Sequence, residues 1–425
     1  MKRLCVLNLA GVSLRVLGRD GQLWVNRLPS PPGPMRPLLP ALPAPMQACL
    51  TTGVGPNRHG VIADGLYRRG RGEISFVERS NTLLSKKRFW HSRRLAARPT
   101  VSLVFWSQPL AGAADLVVGA MTPWPQDGPP AEQPLGLYDE LAQRIGEFDN
   151  DWLWGPGASC EAAIWIAQAA CELWRSRRPD LQWVTLPGLD VELVRHALGS
   201  PQAMEAMARI DQAARQVARC VCDDGGEVIV LSDGPFVNVE RAARPNLRLR
   251  EAGLLKSIEE DGRERLDLGH TRAFAMVQHQ VAHLYCVDES ATIAAREAVE
   301  GDPAVAAVLP RQEVFPDGSG HYRSGEYILL AEPNAYMDCR WLSPQESGAG
   351  WADAVEIQCC GYDPADLLDH RPSGPRPAPA VRASRGLVYS DPLDQCVLAG
   401  TCELPAPAEP TVLDVGEIVR KIMGI

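Results

Sequence analysis

The chain's residue pattern predicts an α/β fold, a mostly parallel sheet sandwiched by helices. Short apolar runs rich in Val, Leu and Ile alternate with longer stretches of helical periodicity. With 425 residues, 45% of them hydrophobic, the chain carries enough apolar material to bury a substantial core.

The elements follow in order. The N-terminus starts like a secretory leader, but Asn8, Arg15 and Arg19 break its apolar stretch and no clear small-residue cleavage site follows, which leaves the run at residues 3–9. It reads as a buried first strand. The stretch 29–45 is so rich in proline that it can supply neither ladder donors nor helix interior, and a loop is expected there. Further strands are expected at 100–106, 181–186 and 227–231, and helices at 161–175, 202–222 and 412–423.

Residues 1–245 then make the first part of the core. Residues 246–341 make an inserted, smaller α+β cap, with strands at 273–276, 283–287 and 327–331 around a helix at 291–300. Residues 342–425 complete the core beyond a second proline-rich segment, 371–380, expected as an exposed connector.

Net charge is −9, with acids and bases interspersed and no long basic run. That balance argues against a nucleic-acid or anionic-membrane partner. No stretch reaches the roughly 18 to 20 uninterrupted apolar residues of a membrane span, so the expected compartment is the cytoplasm. The twelve cysteines are scattered without a framework, as reduced core residues would be. Neither Cys359-Cys360 nor Cys220-Val-Cys222 has the second half of a zinc ribbon.

Several segments, taken in order, resemble one family. PMQACLTTGVGPNRHGVIADGLYRRG, at 45–70, carries Thr-Gly, Pro and His-Gly at the intervals that follow the nucleophile of type I phosphodiesterases and nucleotide pyrophosphatases, members of the alkaline phosphatase superfamily. LPGLDVELVRHALGSP around Asp190 resembles the strand end that supplies an Asp and a His to one metal. VIVLSDGPF, at 228–236, resembles the strand ending in Ser-Asp-His-Gly that supplies the second. Later segments, HTRAFAMVQHQVAHLYCV, HYRSGEYILLAEPNAY and GYDPADLL, resemble a bacterial subgroup of alkaline phosphatase-like proteins.

The resemblance implies an alkaline phosphatase-like fold and a site for two divalent metals at the carboxyl ends of the strands. There a Thr or Ser attacks phosphorus in line. It also shows where this chain departs from the pattern. Asn8 stands where the first carboxylate ligand belongs, and Pro43, without a hydroxyl, stands at the nucleophile position. Asp64 replaces the phosphate-contacting Asn, and a carboxylate there repels phosphate. Asp190 is retained, with His196 as its candidate partner, six residues on where the family places four. Asp233 is retained, but Gly234 replaces the His after it, and Cys402 aligns with the last His ligand.

The implied geometry gathers positions 8, 43, 64, 234 and 402 into one pocket at the top of the sheet. Two readings of the remnants stand together. In one, Asp190, His196, Asp233 and Cys402 converge on a single zinc or other divalent cation. In the other they are ordinary structural groups, with Asp233 capping a turn and Cys402 buried.

Function divides the same way. The chain is either a pseudoenzyme with a binding or assembly role, for which a homodimer is one expected form, that takes a protein partner or a small phosphorylated ligand, or a metal-dependent hydrolase of a phosphoester or pyrophosphate with a remodelled site. Other residues with bland alternatives are the His279/His283 pair, Thr51 and Thr52 as members of a helix, Arg323 as an ion-pair partner of Glu326, and tryptophans 106, 152, 154 and 165 as core residues.

Overall fold

A computed structural model describes residues 1–425 except 19–20, 76, 94, 96, 121–129, 156, 261–262, 316, 343–360 and 363–380. The segment 371–380 and the Cys359-Cys360 pair lie outside the described residues, as does most of GYDPADLL. The chain divides into two compact units. The first comprises Met1–Val61, Arg79–Phe236 and Val388–Ile425, and the second Ile62–Glu78 and Val237–Leu387.

An eight-stranded sheet organises the first unit. Its strands are β1 (Leu4–Leu9), β2 (Ser30–Met35), β3 (Val101–Val104), β4 (Leu116–Gly119), β5 (Ala131–Gln133), β6 (Leu181–Leu186), β7 (Glu227–Leu231) and β8 (Cys396–Gly400). They lie in the order β2-β8-β7-β1-β6-β3-β4-β5. The five central strands β7, β1, β6, β3 and β4 are mutually parallel, and the antiparallel pairings are at the two sides.

Every residue of β1 and β6 is buried. A strand covered on both faces is apolar at most positions, which is why these runs do not alternate, and their polar residues Asn8, Gln182 and Thr185 are hydrogen-bonded. Leu4 and Val6 of β1 pack in the cluster that holds helices α1 (Pro43–Thr52) and α5 (Val415–Met423). Helices α2 (Glu161–Arg177) and α4 (Pro201–Asp223) pack against the sheet through β6, β1 and β7, and Gln182 of β6 reaches Ala170 O of α2. The short helix α3 (Leu189–His196) follows β6.

One expectation fails. The stretch 29–45 is not a loop, since Ser30–Met35 is a strand and α1 begins at Pro43. The physical reason is position. β2 is an edge strand bonded only to β8, with its register broken between Ser30 and Gly33, so a missing proline N–H can face away from the ladder. Prolines in the first turn of a helix lose donors that have no intrahelical acceptor anyway.

The second unit is α+β, and it is larger than the expected insertion 246–341. It closes earlier and later through two pairings, Val237–Asn238 with Ala383–Ser384 and Arg241–Ala243 with Ala335–Met337. It also recruits the hairpin Leu66–Arg68/Glu73–Ser75, whose Tyr67 ring lies 4.9 Å from Phe274 and 5.0 Å from Tyr285. Its main sheet runs in the order Val305–Pro310, Tyr327–Ala331, Val281–Cys286, Ala273–Gln278, Gly361–Tyr362.

His279 is a hairpin turn residue at φ +57° and His283 lies in a strand, so the pair does not share a helical face. His283 is buried, with Nε2 on Ile62 O (3.2 Å) and Nδ1 accepting from Gly325 N–H (3.4 Å). Glu326 pairs with Arg69 rather than Arg323, at 2.8 Å.

Burial lowers His283 to about 4. Its stabilising contribution is therefore complete above the unfolded value near 6.5 and is lost as pH falls from there toward 4. For this one group the loss is about 2 kcal/mol at pH 5. Urea unfolding of wild type and His283→Gln at pH 7 and pH 5 checks this. The wild type should lose more stability between the two pH values than the variant, and equal losses would show that His283 does not carry the effect.

Candidate functional site

The site lies at the carboxyl ends of the three central parallel strands. Asn8, next to last in β1, sits opposite Thr185 of β6 and Leu231 of β7, and β7 runs directly into Ser232 and Asp233. Asn8, Gln47 and Asp233 are each at most 2% exposed. Asn8 Nδ2 donates to Asp233 Oδ2 at 2.7 Å, and Gln47 Nε2 of α1 donates to the same oxygen at 2.7 Å.

Both amides also reach Thr185 Oγ1, at 3.5 Å. The other end of the Gln47 amide accepts Ser107 N–H at 2.7 Å. The nitrogens must face Asp233, because an amide oxygen at that distance would repel the carboxylate. A buried carboxylate is thus held by two neutral donors in a position where the family pattern puts cations. Asn8 Oδ1 is buried without a hydrogen-bond partner among the described residues.

Pro43 is the first residue of α1, one turn before Gln47 and on the same face. A helix N-terminus is ordinarily an anion site because its first N–H groups point outward. Here Pro43 and Pro45 carry no N–H, and Met46 N–H is bonded to Leu42 O. Of the first three positions only Ala44 has a donor.

The two threonines are committed to the helix as expected. Thr51 Oγ1 bonds Gln47 O at 2.8 Å and Thr52 Oγ1 bonds Ala48 O at 2.7 Å. His59, fully buried, accepts Val61 N–H on Nδ1 at 3.1 Å and places Nε2 3.3 Å from Cys49 Sγ. The His-Gly motif therefore serves to fix the turn after α1.

Asp190 also lies at this end of the sheet, in the first turn of α3, where its Oδ1 accepts Gly188 N–H at 2.8 Å. Gly188 has φ +115°, and a Cβ there would lie 2.8 Å from Cys160 Cα, so only glycine fits. His196 is not brought to Asp190. Six residues along a helix amount to a rise of about 9 Å and a different face, and His196 Nε2 pairs with Glu192 at 3.4 Å.

Cys402 is not brought to Asp233 either. β8 is antiparallel to β7, so the chain leaving Gly400 reaches the amino end of β7, where Thr401 Oγ1 accepts Val228 N–H and Cys402 is in the field of Glu227. The thiol at the Asp233 end is Cys396, raised by burial and then by the Asp233 charge. Gly234 adds no side chain. Asp64 belongs to the second unit, where its N–H donates to Gln278 Oε1 at 2.8 Å.

Sequence reasoning missed Gln47 and Cys396. The first was legible as the residue four on from position 43, and the second requires knowing that β8 runs backwards. Among the described residues no three His, Cys, Asp or Glu side chains are grouped to hold a metal ion. The donor set does not fit zinc, because Asp233 Oδ2 takes both amide N–H groups and no three His, Cys, Asp or Glu side chains gather around it among the described residues.

Residues 30–352 match the family model for type I phosphodiesterase / nucleotide pyrophosphatase. No curated protein sequence matches the chain. Phosphonoacetate hydrolase from Sinorhizobium meliloti 1021, solved with phosphonoformate, is similar with a TM-score of 0.65 and 15% identity, over 99% of this chain and 96% of that one. Murine ectonucleotide pyrophosphatase / phosphodiesterase 5 gives 0.60 and 11%, over 100% and 95%. Its human counterpart gives 0.59 and 12%, over 100% and 95%. At these identities the likeness shows the fold alone. No helix among the described residues is long and apolar enough to cross a membrane.

Asn8→Asp is a direct test of the amide clamp. It replaces a donor by a second carboxylate 2.7 Å from the first and should cost about 3 kcal/mol at pH 7. One of the paired acids then has a raised folded pKa, so the deficit should shrink as pH falls through that value. Denaturant unfolding of variant and wild type across pH measures both, and a variant as stable as wild type at pH 7 would refute the clamp.

Proposed function

We propose, from the premise that the chain belongs to the type I phosphodiesterase / nucleotide pyrophosphatase family, that it is a catalytically impaired member with a binding or assembly role. The observation that carries this reading is the hydrogen bonding of Asp233 to Asn8 and Gln47. Phosphoryl transfer in this superfamily needs a hydroxyl nucleophile, cations to activate it and to stabilise the leaving oxygen, and donors for the phosphoryl oxygens. Here the position for the nucleophile is a proline, the helix end beneath it keeps a donor only at Ala44 among its first three positions, and one oxygen of the carboxylate is hydrogen-bonded by two neutral amides. Groups that act as one catalytic unit fail together, so the remainder is expected to contribute little turnover.

The occupant of such a scaffold would be a protein partner, a second copy of the chain or a small phosphorylated ligand. A second reading, hydrolysis of a phosphoester or pyrophosphate by a remodelled site, draws on the retained Asp190 and Asp233 and on the unpartnered Asn8 oxygen. One preparation separates the two readings. Its metal content is measured by plasma mass spectrometry, and its turnover is assayed on an aryl phosphate monoester and a diester with zinc, manganese or magnesium added. The expected result is zinc far below one per chain and no turnover above that of Asp190→Ala. Stoichiometric zinc together with turnover that Asp190→Ala abolishes would establish the hydrolase instead.

A further inference from the structure

The first unit contains a cavity of about 710 Å³ whose lining includes Asn81, Lys87, His91, Arg93, Arg98 and Gly112. Its charged lining is basic on a chain whose net charge is −9. Lys87 and Arg93 are exposed and have no ion-pair partner among the described residues. Arg98 pairs with Asp115 at 2.9 Å. Counting that acid, the described lining residues keep an excess of two positive charges.

Behind them lies Arg88, 1% exposed and lowered by burial to about 9. Its hydrogen bonds go to Asn81 Oδ1, Thr51 Oγ1, Ser107 O and Gln108 O, all neutral and all at 3.0 to 3.2 Å. A buried guanidinium with only neutral partners is costly, and an anion nearby lowers that cost. Burial first, then the charges of Arg88 and Arg98, hold His91 below its usual range, so it lines the cavity as a neutral ring at pH 7. Asn81 has its oxygen tied to Arg88 and therefore offers the cavity its NH₂ end. The polar lining is thus almost entirely donors, while Leu84 and Leu95 supply apolar wall.

We propose that this cavity binds a small organic dianion, a phosphate- or phosphonate-bearing compound with a compact apolar body. Two excess charges match a dianion rather than a monocarboxylate, and donor-rich walls match a group that only accepts. The volume falls in the range of about 300–1,000 Å³ typical of organic-ligand sites. None of Asn8, Gln47 and Asp233 lines the cavity, although Arg88 links its wall to Gln47 through Thr51 and Ser107, and the proposal stands whether or not the impaired-enzyme reading does.

The probe is phenylphosphonate, titrated calorimetrically into the full chain, with inorganic phosphate and benzoate for comparison. Saturable binding of phenylphosphonate is expected, tighter than either comparison compound and weakened by raising the salt from about 0.05 to 0.5 M. The double variant Lys87→Glu, Arg93→Glu should weaken it at least about tenfold with Tm unchanged, because both side chains are exposed. The neutral pair Lys87→Gln, Arg93→Gln should act in the same direction if charge reversal impairs folding. Asp190→Ala, at the other site, should bind as wild type does. Absence of saturable binding, full affinity in both double variants, loss of binding in Asp190→Ala, or benzoate or inorganic phosphate binding as tightly as phenylphosphonate would each overturn the proposal.

Discussion

A carboxylate buried among strand ends must be neutralised, and how Asp233 is neutralised determines what the top of the sheet can do. An unpaired buried charge is untenable, and there are two ways to satisfy it, cations or hydrogen-bond donors. This chain uses donors, one from β1 and one from α1, each a charge-assisted bond of about 1.5–3 kcal/mol. Gln47 also receives the Ser107 amide that follows β3. A single side chain thus ties a helix to the loop after one strand and to the terminus of another, so what is a metal-binding region in the family pattern here holds the sheet ends together.

The fold was legible because burial on both faces leaves an unmistakable trace. Leu181–Leu186 and Glu227–Leu231 are apolar runs of strand length bounded by turn residues, and α4 is a 23-residue amphipathic segment. The proline-rich stretch was misread because residue type alone does not say whether a strand is central or at an edge. An edge tolerates proline, and a chain read one residue at a time does not reveal its edges. The limits of the second unit were hidden for a similar reason, since Val237–Asn238 joins it by pairing with residues about 145 positions later.

At the site, the losses were legible and the replacements were not. Asn8, Pro43 and Gly234 could be flagged by comparison with a motif. That Asn8 and Gln47 converge on one oxygen is a three-dimensional fact about strand register and helix phase. Cys402 shows the opposite limit. Matching residues in order along the chain ignores strand direction, and the antiparallel course of β8 carries Cys402 to one end of β7 while placing Cys396 near the other. Spacing on α3 likewise separates His196 from Asp190, because a six-residue interval changes the helix face.

The substitutions at this end are mutually consistent. On the impaired-enzyme reading, amide donors rather than a cation hold Asp233, so a hydroxyl at position 43 would have no cation to lower its pKa. Proline at that position then costs nothing in the first turn and fixes φ for the helix start. A second proline at position 45 removes another donor from a helix end with no anion to bind. On the impaired-enzyme reading proposed above, these residues fit a sheet terminus held by hydrogen bonds. Asp233 Oδ2 takes both amides, so the strand end and the helix start are held through one oxygen.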